Sequence, residues 1–424
     1  MKTKNLISDF EKNVLKLVSG TAISQVLPWL ASPILTRLYS PEEFGSLTIL
    51  LAILTVGNTI STGKYEVAIY LPEDDRKARA VVRLNEIVLL IISAIIAIIF
   101  LVFGGAIKKL LHAESLGIWF YLVPLVIFFM GLYTVDYSWI NRLKMFTHMA
   151  ASRIFRSASM TGIQLVMGFT SLKPIGLILG QFAGEIFAAL YLLRLRKPIP
   201  KDERPDKAEL KSLAKEYSGF PKYALPGNLI NSVSNQMPVF LFSSYFSAAV
   251  VGQYGLTFRI LTAPLSLLSG ALLDVFRQQA SADYAATGSC RPIFLSTLVK
   301  LSLLSLPVFL VIGLFGEELF EFVFGREWRV AGQYASILSI LFFIRFVASP
   351  LSYVIYIAQK QKVDLIWQIA LTIVTLLAIG LGIYLNNVEL TLWLFSLSYS
   401  FMYLIYLYLS YAFTVNRGLH DRHS

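Results

Sequence analysis

Residues 84–106 read LNEIVLLIISAIIAIIFLVFGGA, and Glu86 is the only charged residue among them. An α-helix rises about 1.5 Å per residue, so a run of this length crosses the roughly 30 Å hydrocarbon core of a bilayer. Similar apolar windows, separated by charged residues or by proline and glycine, cover nearly the whole chain of 424 residues. With 56% hydrophobic and 15% charged residues, the composition excludes a soluble protein. The sequence therefore predicts an all-α polytopic membrane protein.

About twelve transmembrane helices are predicted, six before and six after a polar central segment. They define an N-terminal six-helix bundle over 1–195 and a C-terminal one over 223–424. The segment 196–222 is predicted to be a cytoplasmic linker with a basic amphipathic helix, or alternatively a solvated connector. The twelve predicted helices cover residues 14–38, 43–70, 84–106, 116–140, 148–171, 174–195, 223–246, 250–276, 293–315, 331–358, 363–385 and 389–414.

The distribution of lysine and arginine predicts the orientation of the chain. A net charge of +11 is compatible with nucleic-acid binding, but the basic residues cluster in alternate loops, as they do in membrane proteins. The basic side includes both termini and the central linker, and cytoplasmic loops are the ones that retain lysine and arginine. We therefore expect both termini to be cytoplasmic and expect no nucleic-acid partner.

The two halves of the chain contain similar segments. LYSPEEFGSLTIL (38–50) aligns with YFSAAVVGQYGLT (245–257), which places Gly45 and Gly252 at equivalent positions. Six helices return the chain to its starting side, so the two halves would be parallel repeats. This duplication predicts two pseudo-symmetric six-helix bundles with a cleft between them.

Several ionisable residues fall inside the predicted helices, where charge is costly unless it faces a cavity or a partner. The four cations outnumber the acids at a similar depth, because most of the acids lie nearer the cytoplasmic ends or could pair with a neighbouring cation. This excess of positive charge predicts a cavity that suits an anionic substrate such as a diphosphate. Ion pairing within the protein is the alternative. The cations are Lys64, Arg259, Lys300 and Arg345, and the acids are Glu66, Asp136, Glu185 and Asp274.

An amide-rich stripe runs along the seventh predicted helix, where Asn228, Asn231 and Asn235 share one face. The corresponding first helix carries Ser24 and Gln25 at an equivalent level. Amides and hydroxyls suit sugar hydroxyl groups, so we expect these residues to face a sugar. Polar contacts between helices are the alternative explanation.

Signatures of enzymes and of structural metal sites are missing from the sequence. The chain has no Walker loop, HExxH, GxSxG or DxD motif, and Cys290 is its single cysteine. We therefore expect a transporter with no metal or cofactor.

Four segments resemble the Wzx-type O-antigen and polysaccharide flippases: SPILTRLYSPEEFG (32–45), STGKYEVAIYLPEDD (61–75), YGLTFRILTAPLSLLSGALLDVFRQQAS (254–281) and FGREWRVAG (324–332). The resemblance implies a flippase of the bacterial inner membrane that carries an undecaprenyl-diphosphate-linked glycan by alternating access. It also implies a cationic lumen that includes Lys64 and Arg259, whereas Arg345 and Lys300 are predicted from burial alone.

The resemblance also implies a polysaccharide polymerase and chain-length proteins as partners, besides membrane lipids. Coupling to a proton or sodium gradient is expected, with Glu66, Asp136 and Asp274 as candidate carboxylates. Two alternatives stay open. One is a cation-coupled multidrug exporter of the same superfamily, and the other is a membrane-embedded polysaccharide polymerase or ligase.

Overall fold

The structure, a computed structural model, is α-helical, as the sequence predicts. It describes residues 3–170, 172–196 and 205–415. Side chains are described for these residues except 3–19, 173–174, 264–272 and 274–275. The predicted site residue Asp274 therefore lies outside the described side chains.

Contacts divide the chain into two compact units, Met1–Gly252 and Gln253–Ser424. The described residues of the first unit form eight α-helices. Short 3₁₀ segments, Tyr65–Tyr70 and Glu114–Leu122, precede α3 and α4, and a π-helical turn, Phe220–Ala224, leads into α8. The helices are α1 Thr3–Leu38, α2 Pro41–Ser61, α3 Asp75–Leu110, α4 Val123–Arg142, α5 Phe146–Gly168, α6 Lys173–Leu195, α7 Lys207–Glu216 and α8 Leu225–Tyr245.

Up to residue 415, the chain continues with six α-helices and one 3₁₀ turn, Arg326–Trp328, that precedes α11. The helices are α9 Ala248–Thr287, which begins at the end of the first unit, α10 Arg291–Phe324, α11 Arg329–Leu351, α12 Val354–Ile357, α13 Gln361–Tyr384 and α14 Val388–Ala412.

Eight helical segments in the described part of the chain are long and apolar enough to cross a membrane. The protein is therefore a multi-pass membrane protein. Among the other long helices, α5 and α8 do not reach this apolarity. Their interiors contain arginines in α5 and asparagines in α8, which points to polar surroundings inside the protein.

The predicted helix over 43–70 is too long, because α2 ends at Ser61. Gly63 and Lys64 both have a positive φ, +60° and +65°, and this left-handed turn breaks the helix. Glycine adopts this conformation freely, but a lysine does so at a cost of about 1 kcal/mol or more. Lys64 therefore lies in a strained turn rather than in the interior of a helix.

The repeat segments begin helices in the same way. Ser40 caps α2 by accepting a hydrogen bond from the backbone N–H of Glu43, and Ser247 accepts one from the N–H of Val250, both at 3.4 Å. Gly45 and Gly252 make reciprocal close contacts. A Cβ on Gly45 would overlap the carbonyl oxygen of Ala248, and a Cβ on Gly252 would overlap that of Pro41.

The helix of the predicted linker, α7, packs against other elements of the first unit. Leu213 is buried, and Tyr65 donates a hydrogen bond of 3.1 Å to the carbonyl of Ala214. At the end of α7, Lys77 donates to Glu216 at 2.8 Å, and this hydrogen bond holds the pKa of Glu216 below its usual range. The linker helix therefore lies against the segment that follows Lys64.

The glycine contact predicts a large effect for a small substitution. Gly252→Ala should destabilise the protein by roughly 1–3 kcal/mol, because the added methyl group meets a backbone carbonyl that cannot rotate away. Gly380→Ala is the matched control, because a Cβ at that helical glycine meets nothing within 4 Å. Melting of the purified protein in detergent compares them, and equal melting temperatures would contradict the close contact.

Candidate functional site

In the first unit, Arg153 of α5 lies among polar groups of α1 and α4. Its Nη1 donates to the hydroxyl of Thr21 at 2.5 Å, and its guanidinium lies 5.1 Å from the ring centroid of Tyr137. Among the described side chains, no carboxylate pairs with Arg153. A half-buried guanidinium on an aromatic face is held in place and keeps donors for a further acceptor.

One turn further along α5, Arg156 pairs with a carboxylate. It donates to Glu185 of α6, and its guanidinium lies 5.7 Å from the ring centroid of Tyr133. Glu185 also accepts a hydrogen bond of 2.8 Å from Gln181. The side chain of Glu185 is 1% exposed and that of Arg156 is 37% exposed, so the buried carboxylate anchors an arginine that reaches an open surface.

Lys64 and Glu66 form an ion pair across the strained turn. Lys64 Nζ lies 3.6 Å from Glu66 Oε1, and the hydroxyl of Thr62 donates to Glu66 Oε2 at 2.6 Å. The predicted substrate cation and a predicted coupling carboxylate thus neutralise each other in this conformation. An anionic ligand at Lys64 would compete with Glu66 for the ammonium group.

Asp136, another predicted coupling carboxylate, is 1% exposed and pairs with Arg196. Arg196 lies at the end of α6 and also pairs with Glu86 of α3, which in turn pairs with Arg83 at 2.9 Å. This network ties α3, α4 and α6 together where the chain enters the linker. Its arginine has two carboxylates as partners.

Four of the five predicted sugar-facing residues are exposed. Asn228, Asn231 and Asn235 are exposed on α8, where Asn235 donates to the backbone carbonyl of Asn231 at 2.9 Å. Gln25 is exposed, whereas Ser24 is half-buried and donates to the carbonyl of Thr21 at 2.8 Å. The amide stripe of α8 therefore presents the larger polar surface.

In the second unit, the predicted cations differ in burial. Arg259 of α9 and Arg345 of α11 are half-buried, and the guanidinium of Arg345 lies 6.0 Å from the ring centroid of Tyr399. No carboxylate among the described side chains pairs with Arg345. Lys300 is exposed on α10, so the expectation that it is buried is wrong. Its neighbours Val299 and Leu303 are exposed as well, because the apolar surface of α10 is directed outward.

A family model described as polysaccharide biosynthesis protein matches residues 34–333. The chain belongs to this family. A curated relative, the teichuronic acid biosynthesis protein TuaB of Bacillus subtilis (strain 168), is 21% identical over 153 residues. That match covers 36% of this chain and 32% of the relative, so it spans about a third of the relative's length.

Three solved structures have a fold similar to that of this family member. The lipid II flippase MurJ, in an inward closed conformation, superposes with a TM-score of 0.73 at 12% identity and covers 93% of this chain and 87% of that one. An inward-facing multidrug resistance MATE transporter gives 0.68 at 13% identity, over 91% and 93%. The MATE transporter DinF-BH gives 0.62 at 16% identity, over 97% of each chain.

Arg153 and Arg156 were not predicted as site residues of this family member, although a sequence signal exists. Both fall inside the predicted helix over 148–171 and are three residues apart, so they share one helix face. A survey of every charge within that window would have found them. Their different roles become visible only in the structure, since Glu185 and Thr21 belong to other helices.

The network at Asp136 predicts that Arg196→Ala is strongly destabilising. The substitution leaves two carboxylates without their shared partner, and breaking a buried pair in this way costs roughly 3–5 kcal/mol. Arg83→Ala, which removes an exposed ion pair, should cost about 1 kcal/mol or less. Thermal unfolding in detergent measures both.

The double variant Arg196→Ala, Asp136→Asn is the second control. It removes the unpaired charge together with its partner and should recover part of the lost stability. If Arg196→Ala melts at the same temperature as Arg83→Ala, the ion pairs of Arg196 do not contribute this stability.

Proposed function

We propose that this chain is a flippase that carries an undecaprenyl-diphosphate-linked oligosaccharide, such as an O-antigen repeat unit, from the cytoplasmic to the periplasmic leaflet by alternating access. The observation that carries the proposal is shared by both units. Each contains a half-buried arginine that rests on a tyrosine ring and has no carboxylate partner among the described side chains. These are Arg153 on Tyr137 and Arg345 on Tyr399.

The chemistry of these arginines suits a diphosphate. A guanidinium presents its donors in a fixed planar fork that matches two phosphate oxygens, and the aromatic face beneath it limits its rotation. Because no carboxylate among the described side chains occupies this fork, a substrate phosphate does not have to displace one of these. Lys64 and Arg156 would serve as secondary cations, since Glu66 and Glu185 already pair with them.

The asparagines of α8 supply the groups for the sugar part of the proposal. Asn228, Asn231 and Asn235 are exposed, and each side-chain amide offers donors and an acceptor. Such groups bind hydroxyl-rich ligands with little preference for one sugar. The proposal therefore names a class of short glycans rather than one sequence of sugars.

Energy coupling and location complete the proposal. We infer coupling to a proton or sodium gradient, an inner-membrane location with both termini cytoplasmic, and a polymerase and chain-length proteins as pathway partners. The distribution of lysine and arginine between alternate loops supports the orientation. Asp274 keeps its predicted coupling role, and for Glu66 and Asp136 this role requires the opening of an ion pair.

A multidrug exporter is the second candidate, because the fold is also similar to MATE transporters. An exporter of cationic drugs needs acids that are free to bind them. In the first unit, the acids Glu66, Asp136 and Glu185 each pair with a cation instead, which favours the flippase. Uptake of a cationic dye into proteoliposomes tests the exporter directly, and dye transport without glycan flipping would establish it.

The arginine arrangement predicts the effect of single substitutions on flipping. Arg153→Ala and Arg345→Ala should each lower the rate of translocation of a polyprenyl-diphosphate oligosaccharide by roughly tenfold to a hundredfold, the worth of one charge-assisted hydrogen bond. Lysine at either position should retain part of the rate. The rate is measured in proteoliposomes by the accessibility of the glycan to an external glycosidase.

Arg326→Ala is the matched control, because this arginine is exposed in the 3₁₀ turn before α11. It should flip the substrate at the wild-type rate. Wild-type rates for both alanine variants at Arg153 and Arg345 would remove these arginines from the mechanism. Absence of any translocation by the folded wild-type protein would overturn the flippase itself.

A further inference from the structure

The linker helix α7 carries a row of lysines on one exposed face. Lys207, Lys211 and Lys215 are spaced by four residues, so they lie one above the other on the helix, and all three are exposed. Among the described side chains, no carboxylate forms an ion pair with any of them. These three residues, the lysine row, therefore present positive charge that the described part of the chain does not neutralise.

The acids of α7 and of its cap take part in contacts that hold the helix in place. Glu209 accepts a hydrogen bond of 3.3 Å from Arg76, and Glu216 accepts one of 2.8 Å from Lys77, both from α3. Asp206 caps α7 by accepting a hydrogen bond of 2.7 Å from the backbone N–H of Glu209. These carboxylates are thus already engaged, and the lysine row keeps its charge.

The apolar face of α7 is covered by protein. Leu213 and Tyr217 are buried, and they belong to one apolar cluster with Tyr65 and Val81. An amphipathic helix that inserts into a membrane surface buries such a face among lipid chains instead. Because this face of α7 is already occupied, any contact between α7 and a membrane involves its lysines and the lipid headgroups.

Contacts with α3 fix the level of α7 relative to the membrane. Glu216, the last residue of α7, pairs with Lys77, which precedes Leu84 and the apolar run of α3 by seven residues, or roughly 10 Å of helix. Tyr223, just beyond α7, is 80% exposed, and tyrosines of membrane proteins are enriched at the level of the headgroups. Both observations indicate that α7 ends at the edge of the bilayer, where lipid phosphates lie.

An open groove of about 630 Å³ lies between the end of α7 and the start of α8. Its walls include Leu71, Tyr217, Phe220 and Tyr223, so they are mainly apolar. Lys222, next to Tyr223 in the chain, is exposed. A free polyanion, such as a nucleic acid or an acidic peptide, would use the charge but not the apolar walls. A phospholipid has both a phosphate and an apolar chain, so it fits the two features together.

We propose that the lysine row and this groove form a binding surface for anionic phospholipids. The lysines contact the headgroup phosphates, and part of an acyl chain lies in the groove, which begins at Glu216, directly after Lys215. Each lysine close to an anionic membrane surface strengthens binding by roughly fivefold. This surface does not depend on what the protein transports.

Photocrosslinking to lipids tests the lysine row. A photoreactive amino acid replaces Ala208, an exposed residue beside Lys207, and the full chain is placed in liposomes of equal parts phosphatidylglycerol and phosphatidylcholine. Mass spectrometry then counts the adducts of each lipid. We expect adducts of the anionic lipid to exceed those of the zwitterionic one by roughly fivefold or more. In about 1 M salt, where charges are screened beyond about 3 Å, this ratio should fall toward one.

Substitutions at the lysine row separate its charge from other effects. The triple variant Lys207→Gln, Lys211→Gln, Lys215→Gln should bring the ratio close to one, whereas arginine at the same three positions should keep it. The double variant Lys360→Gln, Lys362→Gln is the matched control, because it removes two exposed lysines at the start of α13 and should keep the ratio. A wild-type ratio near one, or a high ratio that the triple glutamine variant retains, would overturn the proposal.

The groove is tested by the same method at a second position. A photoreactive amino acid in place of Tyr223, which lines the groove, should form adducts on the acyl chains of the lipids. Melting temperatures equal to that of the wild type show that the labelled proteins are folded. Folded protein without acyl-chain adducts at this position would overturn the assignment of the groove to a lipid chain.

Discussion

A charge inside a membrane protein needs a partner, and this requirement organises the polar interior of the chain. Glu185 and Asp136 are almost completely buried, and arginines of neighbouring helices neutralise them. Arg153 and Arg345 are stabilised differently, by tyrosine rings that attract a cation without cancelling its charge. The protein therefore contains cations that hold its helices together and cations whose charge no carboxylate among the described side chains cancels.

The more polar helices pack against apolar helices that are long enough to span a membrane. The helices α5 and α8 are less apolar than the eight segments suited to span a bilayer, and they contribute the arginines and the asparagines of the candidate site. The close contact at Gly45 and Gly252 brings the starts of α2 and α9 together without side chains between them. Small residues permit such close approach of backbones, and a larger one there would displace both helix starts.

Several site residues could be predicted from the sequence because their environment is set by local pattern. Arg259 and Arg345 stand out in apolar windows, and the amide stripe of α8 follows from helical spacing. Hydropathy places Lys64 inside a helix, because the left-handed turn there depends on the pair Gly63–Lys64 and not on apolar pattern.

The sequence alone determined that the chain is helical, crosses a membrane several times and contains two similar segments around Gly45 and Gly252. These properties depend on composition and on residues close together in the chain. Only the tertiary structure decided which charges are paired, because the partners are distant in sequence. Arg196 meets Glu86 across 110 positions, and Tyr406 meets Asp364 across 42. Electrostatic energy depends on distance in space, so only the packed helices show which cations pair with a carboxylate and which rest on a tyrosine ring.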